Sequence, residues 1–257
     1  MSYDCLSVER RDDVVTVTMD VPERRNALSL PHLRELDQAF REAGDSDASG
    51  VILAGRGPVF SAGHDFADVA GADLASMREL LWTCARLMDT MQSIPQPVVA
   101  RVHGLATAAG CQLVATADLA VAAESASFAV PGGKGGWFCT TPMVAVGRAV
   151  GRKRAVEMAF TGDPIDAATA AEWGLVNRVV PDDRLEEEAA ELLRRATRGS
   201  PLSKSIGKQA FYAQIGLDQR SAYDYATEVM AAASQTEDAQ EGVASFLEKR
   251  PPKFEGR

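Results

Sequence analysis

Between Val102 and Asp118 the chain reads VHGLATAAGCQLVATAD, a stretch suited to placing a helix N-terminus against a ligand. Ala106 to Gly110 are all small, and Cys111-Gln112-Leu113-Val114-Ala115 resume a helical pattern. A helix that opens on residues with almost no side chain leaves its free N–H groups open to another molecule, and its dipole favours negative charge there. The same run also suits close packing of a helix on a strand, and the residues alone leave both readings open. The other chemically capable side chains are few. His103, at a strand end, reads as structural, and His32, on a helix's first turn, as solvated. Cys111 has small neighbours and reads as a packed thiol, whereas Cys139 is the more credible nucleophile, although no histidine stands beside it in sequence. Lys134 sits in a glycine-rich loop but is followed by Gly135 rather than Ser or Thr, which excludes a phosphate-binding loop. With three histidines and four widely spaced cysteines, no metal site is expected.

The elements that must position these groups emerge from periodicity and punctuation. Val14 to Met19 alternates at a strand's period after an Asp12-Asp13 turn. Pro22 to Leu28 is a loop, and Ser29-Leu30-Pro31 opens a helix carrying Leu33, Leu36 and Phe40 on one face and ending near Gly44. Val51 to Ala54 is a short buried strand, Leu74 to Ser93 a long amphipathic helix, and Pro97 to Ala100 a second buried strand broken by Gly104. Strand, helix and strand recur through Ala122, the pattern of an α/β fold. The run Pro131-Gly132-Gly133-Lys134-Gly135-Gly136 is a loop, because its glycines cannot hold a helix. Helical segments at Ala155 to Phe160 and Ala167 to Trp173 come next, then a last strand within Leu175 to Val180. Beyond Asp182 the chain reads as wholly helical, in segments at 186–198, 201–215, 219–234 and 237–249.

At 257 residues and 46% hydrophobic, the chain is long and apolar enough for a real core. A formal net charge of -9 argues against a nucleic-acid partner. No apolar run is long enough to span a bilayer, and Met1 to Arg11 is too polar for a signal peptide, so neither a membrane nor export is expected. Unpaired cysteines suit a reduced compartment, and the expected location is cytoplasmic.

Several stretches together resemble the crotonase (enoyl-CoA hydratase/isomerase) superfamily: Pro22-Glu23-Arg24-Arg25-Asn26-Ala27-Leu28, Phe60-Ser61-Ala62-Gly63-His64-Asp65, the helix opening at 106–110, and Phe160-Thr161-Gly162-Asp163-Pro164-Ile165 with Ala171 to Val176. The ending from Glu241-Gly242 to Lys249-Arg250-Pro251 is similar to that family's tail. The resemblance implies an α/β spiral of ββα units over residues 1–197 and a C-terminal α-helical region, 198–257, that makes homotrimers or homohexamers. It implies an acyl-CoA thioester as ligand, with CoA as part of the substrate and no separate cofactor. Two backbone N–H groups, by position those of His64 and Ala109, would form an oxyanion hole for the thioester oxygen. Arg24 and Arg25 fall where the family approaches the adenosine phosphates, or are simply a solvated pair. Ala27 is implied to bind substrate, and the backbone near Ala62 and Asp65 falls near the adenine or pantetheine, with the Asp65 side chain read as a helix cap. Phe138 falls in the acyl pocket, and Phe246 and Lys249 would complete a neighbouring subunit's CoA site.

The family's two hydratase glutamates are replaced here by Gln112 and Gly132, whose separation is the family's own. Glutamine cannot take a proton from water at neutral pH and glycine has no side chain, so ordinary alkene hydration should be weak or absent. Gln112 either holds a water or substrate group or makes a structural hydrogen bond. The His64 ring either orients an acyl or carboxylate group or merely packs while its amide acts. Three readings result: an enzyme acting through enolate stabilisation, a decarboxylase of a malonyl-type CoA thioester, or a non-catalytic acyl-CoA-binding protein. The stretch at 60–65 resembles such decarboxylases, but Phe138 stands where they use a tyrosine.

Overall fold

The computed structural model describes residues 3–257; Met1 and Ser2, part of the polar N-terminal stretch, lie outside the described residues. Strands β1 (Leu6–Arg11) and β2 (Val14–Met19) form an antiparallel hairpin, its turn made at Asp12 with φ 54°. Helix α1 (Leu30–Gly44) then carries the chain to β3 (Gly50–Gly55), which pairs parallel with β2. Helix α1 is capped by the Ser29 hydroxyl, which accepts the His32 N–H. A short helix α2 (Phe66–Val69) and the long α3 (Leu74–Ser93), capped by Asp73, lead to β4 (Val98–Val102). Next come β5 (Leu105–Thr107), α4 (Ala109–Thr116), β6 (Leu119–Ala123) and β7 (Ser127–Ala129). Helices α5 (Pro142–Val150) and α6 (Arg152–Thr161) precede strand β8 (Ile165–Asp166), helix α7 (Ala167–Trp173) and strand β9 (Arg178–Val180). The chain ends in helices α8 (Leu185–Ala196), α9 (Pro201–Gln214), α10 (Gln219–Ala233) and α11 (Glu237–Glu248).

The main sheet runs in the order β1-β2-β3-β4-β6-β9, and β5-β7-β8 form a small second sheet. Because side chains alternate along a strand, the main sheet serves two cores. Val51, Leu53, Val98, Ala100, Ala120 and Ala122 face the larger one, shared with α1 and α3. Ile52, Val99 and Val121 face the smaller one, closed by Leu185, Ala189 and Leu193 of α8. Burial on both faces explains why these strands read as continuous apolar runs rather than alternating ones.

Two local expectations differ from the structure. Ala106 and Thr107 are not part of a helix opening: they belong to β5, paired in parallel with Phe128 and Ala129, and the helix begins only at Ala109. His32 is not solvated but fully buried, with Nδ1 3.0 Å from the Ala27 carbonyl and Nε2 without a partner. The carbonyl can only accept, so Nδ1 carries the proton and donates. Burial holds the His32 pKa below the usual histidine value. The unfolded chain therefore binds a proton more readily than the folded one as pH falls below about 6.5. Stability from this group is complete above that pH and is lost below it. The melting temperature is expected to fall between pH 7 and pH 5, and His32→Gln should reduce that fall.

Candidate functional site

The site is assembled around one extended segment, residues 61–65. On one side it is held by the loop before α1: Ala62 N–H donates to Arg25 O at 3.0 Å, Leu28 N–H to Gly63 O at 2.8 Å, and Asp65 N–H to Leu28 O at 3.2 Å. On the other side Ser61 N–H donates to Leu105 O at 3.2 Å and Thr107 N–H to Ser61 O at 3.0 Å. Asn26 ties the loop to this layer from below. Its side chain, itself fully buried, accepts Val21 N–H at 3.0 Å and donates to the carbonyls of Arg56, Val59 and Phe60 at 2.8 to 3.1 Å. Asn26→Ala would strand these backbone groups, at a cost of about 1–3 kcal/mol for each buried group left unsatisfied. A stability loss of about 2 kcal/mol, read by denaturant unfolding, is the expected outcome.

Helix α4 meets the same segment end-on. Its N-cap, Ala108, has φ 50° and ψ -117°, a conformation that L-residues rarely adopt, and its N–H donates to Ala129 O at 2.9 Å. Glycines make the approach possible. A Cβ on Gly63 (φ 82°) would lie 2.9 Å from the Ala108 Cβ and 3.2 Å from the Ala109 nitrogen, and one on Gly110 would lie 2.6 Å from Ser61 O. The parallel pairing of Leu28 with His64 uses the Gly63 carbonyl and the Asp65 N–H, on either side of His64, and leaves the His64 N–H unused. Ala109, at the first position of α4, has no preceding helical carbonyl to bond. Among the described residues neither amide has a hydrogen-bond acceptor in the protein.

Both residues line a cavity of about 610 Å³. Ala62, His64, Thr107 and Ala109 form one wall, and the loop at 131–142, with Gly132, Trp137, Phe138 and Cys139, forms the other. Phe138 stacks edge-on against Phe160 at 5.9 Å. Inside this wall three polar atoms are buried with no partner: both ring nitrogens of His64 and the Thr107 hydroxyl. Thr107 was not among the sequence candidates, since a threonine in a run of alanines carries no pattern of its own.

The remaining candidates divide. The Asp65 carboxylate caps α2 by accepting Ala67 N–H at 2.9 Å and forms an ion pair with Arg24, so both are engaged beside the segment rather than in the cavity wall. Arg25 contributes its carbonyl to Ala62 N–H. Ala27 holds the His32 ring. Gln112 does not line the cavity: it is buried, with Oε1 facing the Cys84 thiol at 3.9 Å, which is the structural alternative rather than the ligand-holding one. Gly132 does line it, with its N–H on Cys139 Sγ at 3.3 Å and its carbonyl accepting Trp137 N–H at 3.0 Å. Cys111 is fully buried and its thiol pKa is pushed up to about 12. Phe246 and Lys249, at the end of α11, are not brought to the cavity within one chain. The His103 ring bonds the Gly57 carbonyl at 2.8 Å, in keeping with a structural role. No cluster of residues fit to hold a metal occurs, and no helix is long and apolar enough to cross a membrane, among the described residues.

A largely parallel α/β sheet beside a partly open, mostly apolar cavity is common to several classes of protein that bind small molecules. Comparison with known proteins narrows the class: the model of the enoyl-CoA hydratase/isomerase family matches residues 9–257, and the chain belongs to that family. It is 44% identical over 248 residues to the rat mitochondrial enoyl-CoA hydratase domain-containing protein 3, covering 96% of this chain and 83% of that one. The crystal structure of the human protein of the same name superposes with a TM-score of 0.93 at 41% identity, over 97% of this chain and 99% of that one. An enoyl-CoA hydratase structure from Mycobacterium smegmatis superposes with a TM-score of 0.94 at 43% identity, over 97% and 98%. These matches show the crotonase-type fold with its C-terminal helical region. They also correct the expected cytoplasmic location, since the relatives from rat, mouse, frog and human are mitochondrial proteins.

Proposed function

We propose that this protein binds an acyl-CoA thioester and stabilises its enolate, with the amides of His64 and Ala109 as the oxyanion hole. The observation that carries this reading is the pair of amides without acceptors on one cavity. Each donor placed where charge develops contributes about 3 to 4 kcal/mol to a transition state. Ordinary hydration is weak or absent, because Gln112 is turned away from the cavity and Gly132 presents only backbone to it. Homo-oligomerisation, as trimer or hexamer, is part of the same proposal. Helix α10 buries no residue within the chain, and Phe211, Met230 and Phe246 stand exposed on the terminal helices, a face that suits a further copy of this chain.

The test is calorimetric binding of butyryl-CoA, followed by incubation with crotonyl-CoA and with methylmalonyl-CoA. Binding is expected, with crotonyl-CoA hydrated about 10²- to 10⁴-fold more slowly than by a two-glutamate hydratase assayed alongside. Hydration at a comparable rate would refute the argument from Gln112 and Gly132. Release of carbon dioxide would favour the malonyl-type decarboxylase, and binding without any turnover a non-catalytic acyl-CoA carrier.

A further inference from the structure

Of the side chains that line the cavity, three can exchange a proton through a nitrogen or sulfur: His64, Lys134 and Cys139. Lys134 is held by the Asp163 carboxylate at 2.5 Å. Burial pushes the Cys139 thiol up from its usual value, which leaves it protonated at neutral pH, although the Gly132 N–H opposes the shift. His64 differs from both. Its two ring nitrogens are buried without a partner, and the ring lies 6.2 Å from that of Trp137 across the cavity. Burial holds it below the usual histidine range, with the nearby Leu28 backbone and then the Asp68 charge on α2 opposing, so the ring is neutral at pH 7 and one of its nitrogens carries a lone pair. A neutral imidazole with an unbonded nitrogen is a base, and here it belongs to the residue whose amide faces the same cavity.

We propose that the His64 imidazole is the proton-transfer group of this cavity, taking the α-proton of an acyl thioester whose carbonyl oxygen is held by the His64 and Ala109 amides. The assignment rests on the thioester reading above and adds to it the base that Gln112 and Gly132 do not supply. In the step, the α C–H bond breaks and its electron pair forms the enolate double bond as the carbonyl π pair moves onto oxygen. The proton goes to the free ring nitrogen. Collapse of the enolate takes a proton back from the imidazolium, which has meanwhile exchanged with solvent. No co-reactant besides water is needed.

Proton NMR of butyryl-CoA in deuterium oxide reads the step directly as loss of the α-proton signal. The wild-type protein is expected to exchange that proton about 10²- to 10⁴-fold faster than His64→Ala. Added imidazole is expected to restore much of the loss, which a merely packing role would not predict. Exchange by the wild type should also decline as pH falls through the His64 pKa, which burial places below the usual histidine value of 6.5. If His64→Ala melts well below the wild type, His64→Gln replaces it, since a glutamine side chain accepts no proton near neutrality. Failure of butyryl-CoA to bind the wild type would overturn the thioester reading itself. Binding without exchange, or exchange that survives both variants within about threefold, overturns the assignment of His64 alone.

Discussion

Gly132→Ala is expected to lower the melting temperature by several degrees, and Gly132→Glu to lower it further without producing hydration. A Cβ at this position would collide with the Trp137 carbonyl oxygen and lie 2.7 Å from Cys139 Sγ and 3.0 Å from the Cys139 nitrogen. Two of those three atoms are main chain and cannot rotate away. The loop is moreover knotted onto Gly132 by bonds from its carbonyl to the Gly135 and Trp137 N–H groups. Overpacking of this kind costs about 1–3 kcal/mol, and each kcal/mol moves the melting point by about 2–4 °C in a chain of this size. A glutamate at 112 would meet Cys84 rather than the cavity. Two substitutions are therefore not expected to install a pair of carboxylates in the cavity, because the loop at 131–139 is folded tightly against Gly132. Thermal denaturation and a crotonyl-CoA assay check this. A Gly132→Glu protein as stable as the wild type and active in hydration would show that the loop opens easily.

The second large effect is expected at Lys208. Its side chain reaches from α9 into the core, only 7% exposed, and donates to the carbonyls of Met91 and Gln96 and to Asp118 Oδ2, each at 2.8 Å. Asp118, just past the end of α4, also accepts Val98 N–H at 2.7 Å and the Tyr212 hydroxyl at 2.8 Å. This cluster joins α9 to the start of β4 and the foot of α4. Burial pushes the Lys208 pKa down, and the Asp118 charge counters that. Lys208→Met leaves a carboxylate inside the protein without its cation, which costs about 3–5 kcal/mol. Asp118→Asn in the same chain removes the stranded charge and is expected to recover part of the loss. Equal stability of Lys208→Met and wild type in urea unfolding would show that the pair contributes nothing net.

How much of this was legible in the sequence depends on the range of each interaction. Helix α3 at Leu74–Ser93 and α7 at Ala167–Trp173 fall where the pattern puts them, because Asp73 and Asp166 cap their starts locally and Pro95 and Gly174 bar their continuation. Strand β5 escaped detection, since three residues are too few to show alternation and its partner lies beyond α4. The burial of His32 is a tertiary fact: a polar residue on a first turn faces water unless a loop folds over it, and here Ala27 does so. Asn26 was visible only as part of a motif, because its bonds run to residues about thirty positions away. The site itself was partly readable. The small residues and glycines around 63 and 110 signal a close approach, whereas nothing near Gln112 discloses which way its side chain turns.

Arg25, Asn26 and Ala108 adopt positive φ without being glycine, and all three lie on the segments that bracket the amides of His64 and Ala109. Such backbone strain costs on the order of 1–3 kcal/mol per residue. Glycine accepts the Ala108 geometry freely, so Ala108→Gly is an obvious choice for a heat-tolerant variant, with a melting curve to check the gain. The same change loosens the hinge on which the Ala109 N–H is aimed. Hardiness and aim thus pull against each other at one alanine, and selection for endurance alone would be expected to erode the placement of that amide first.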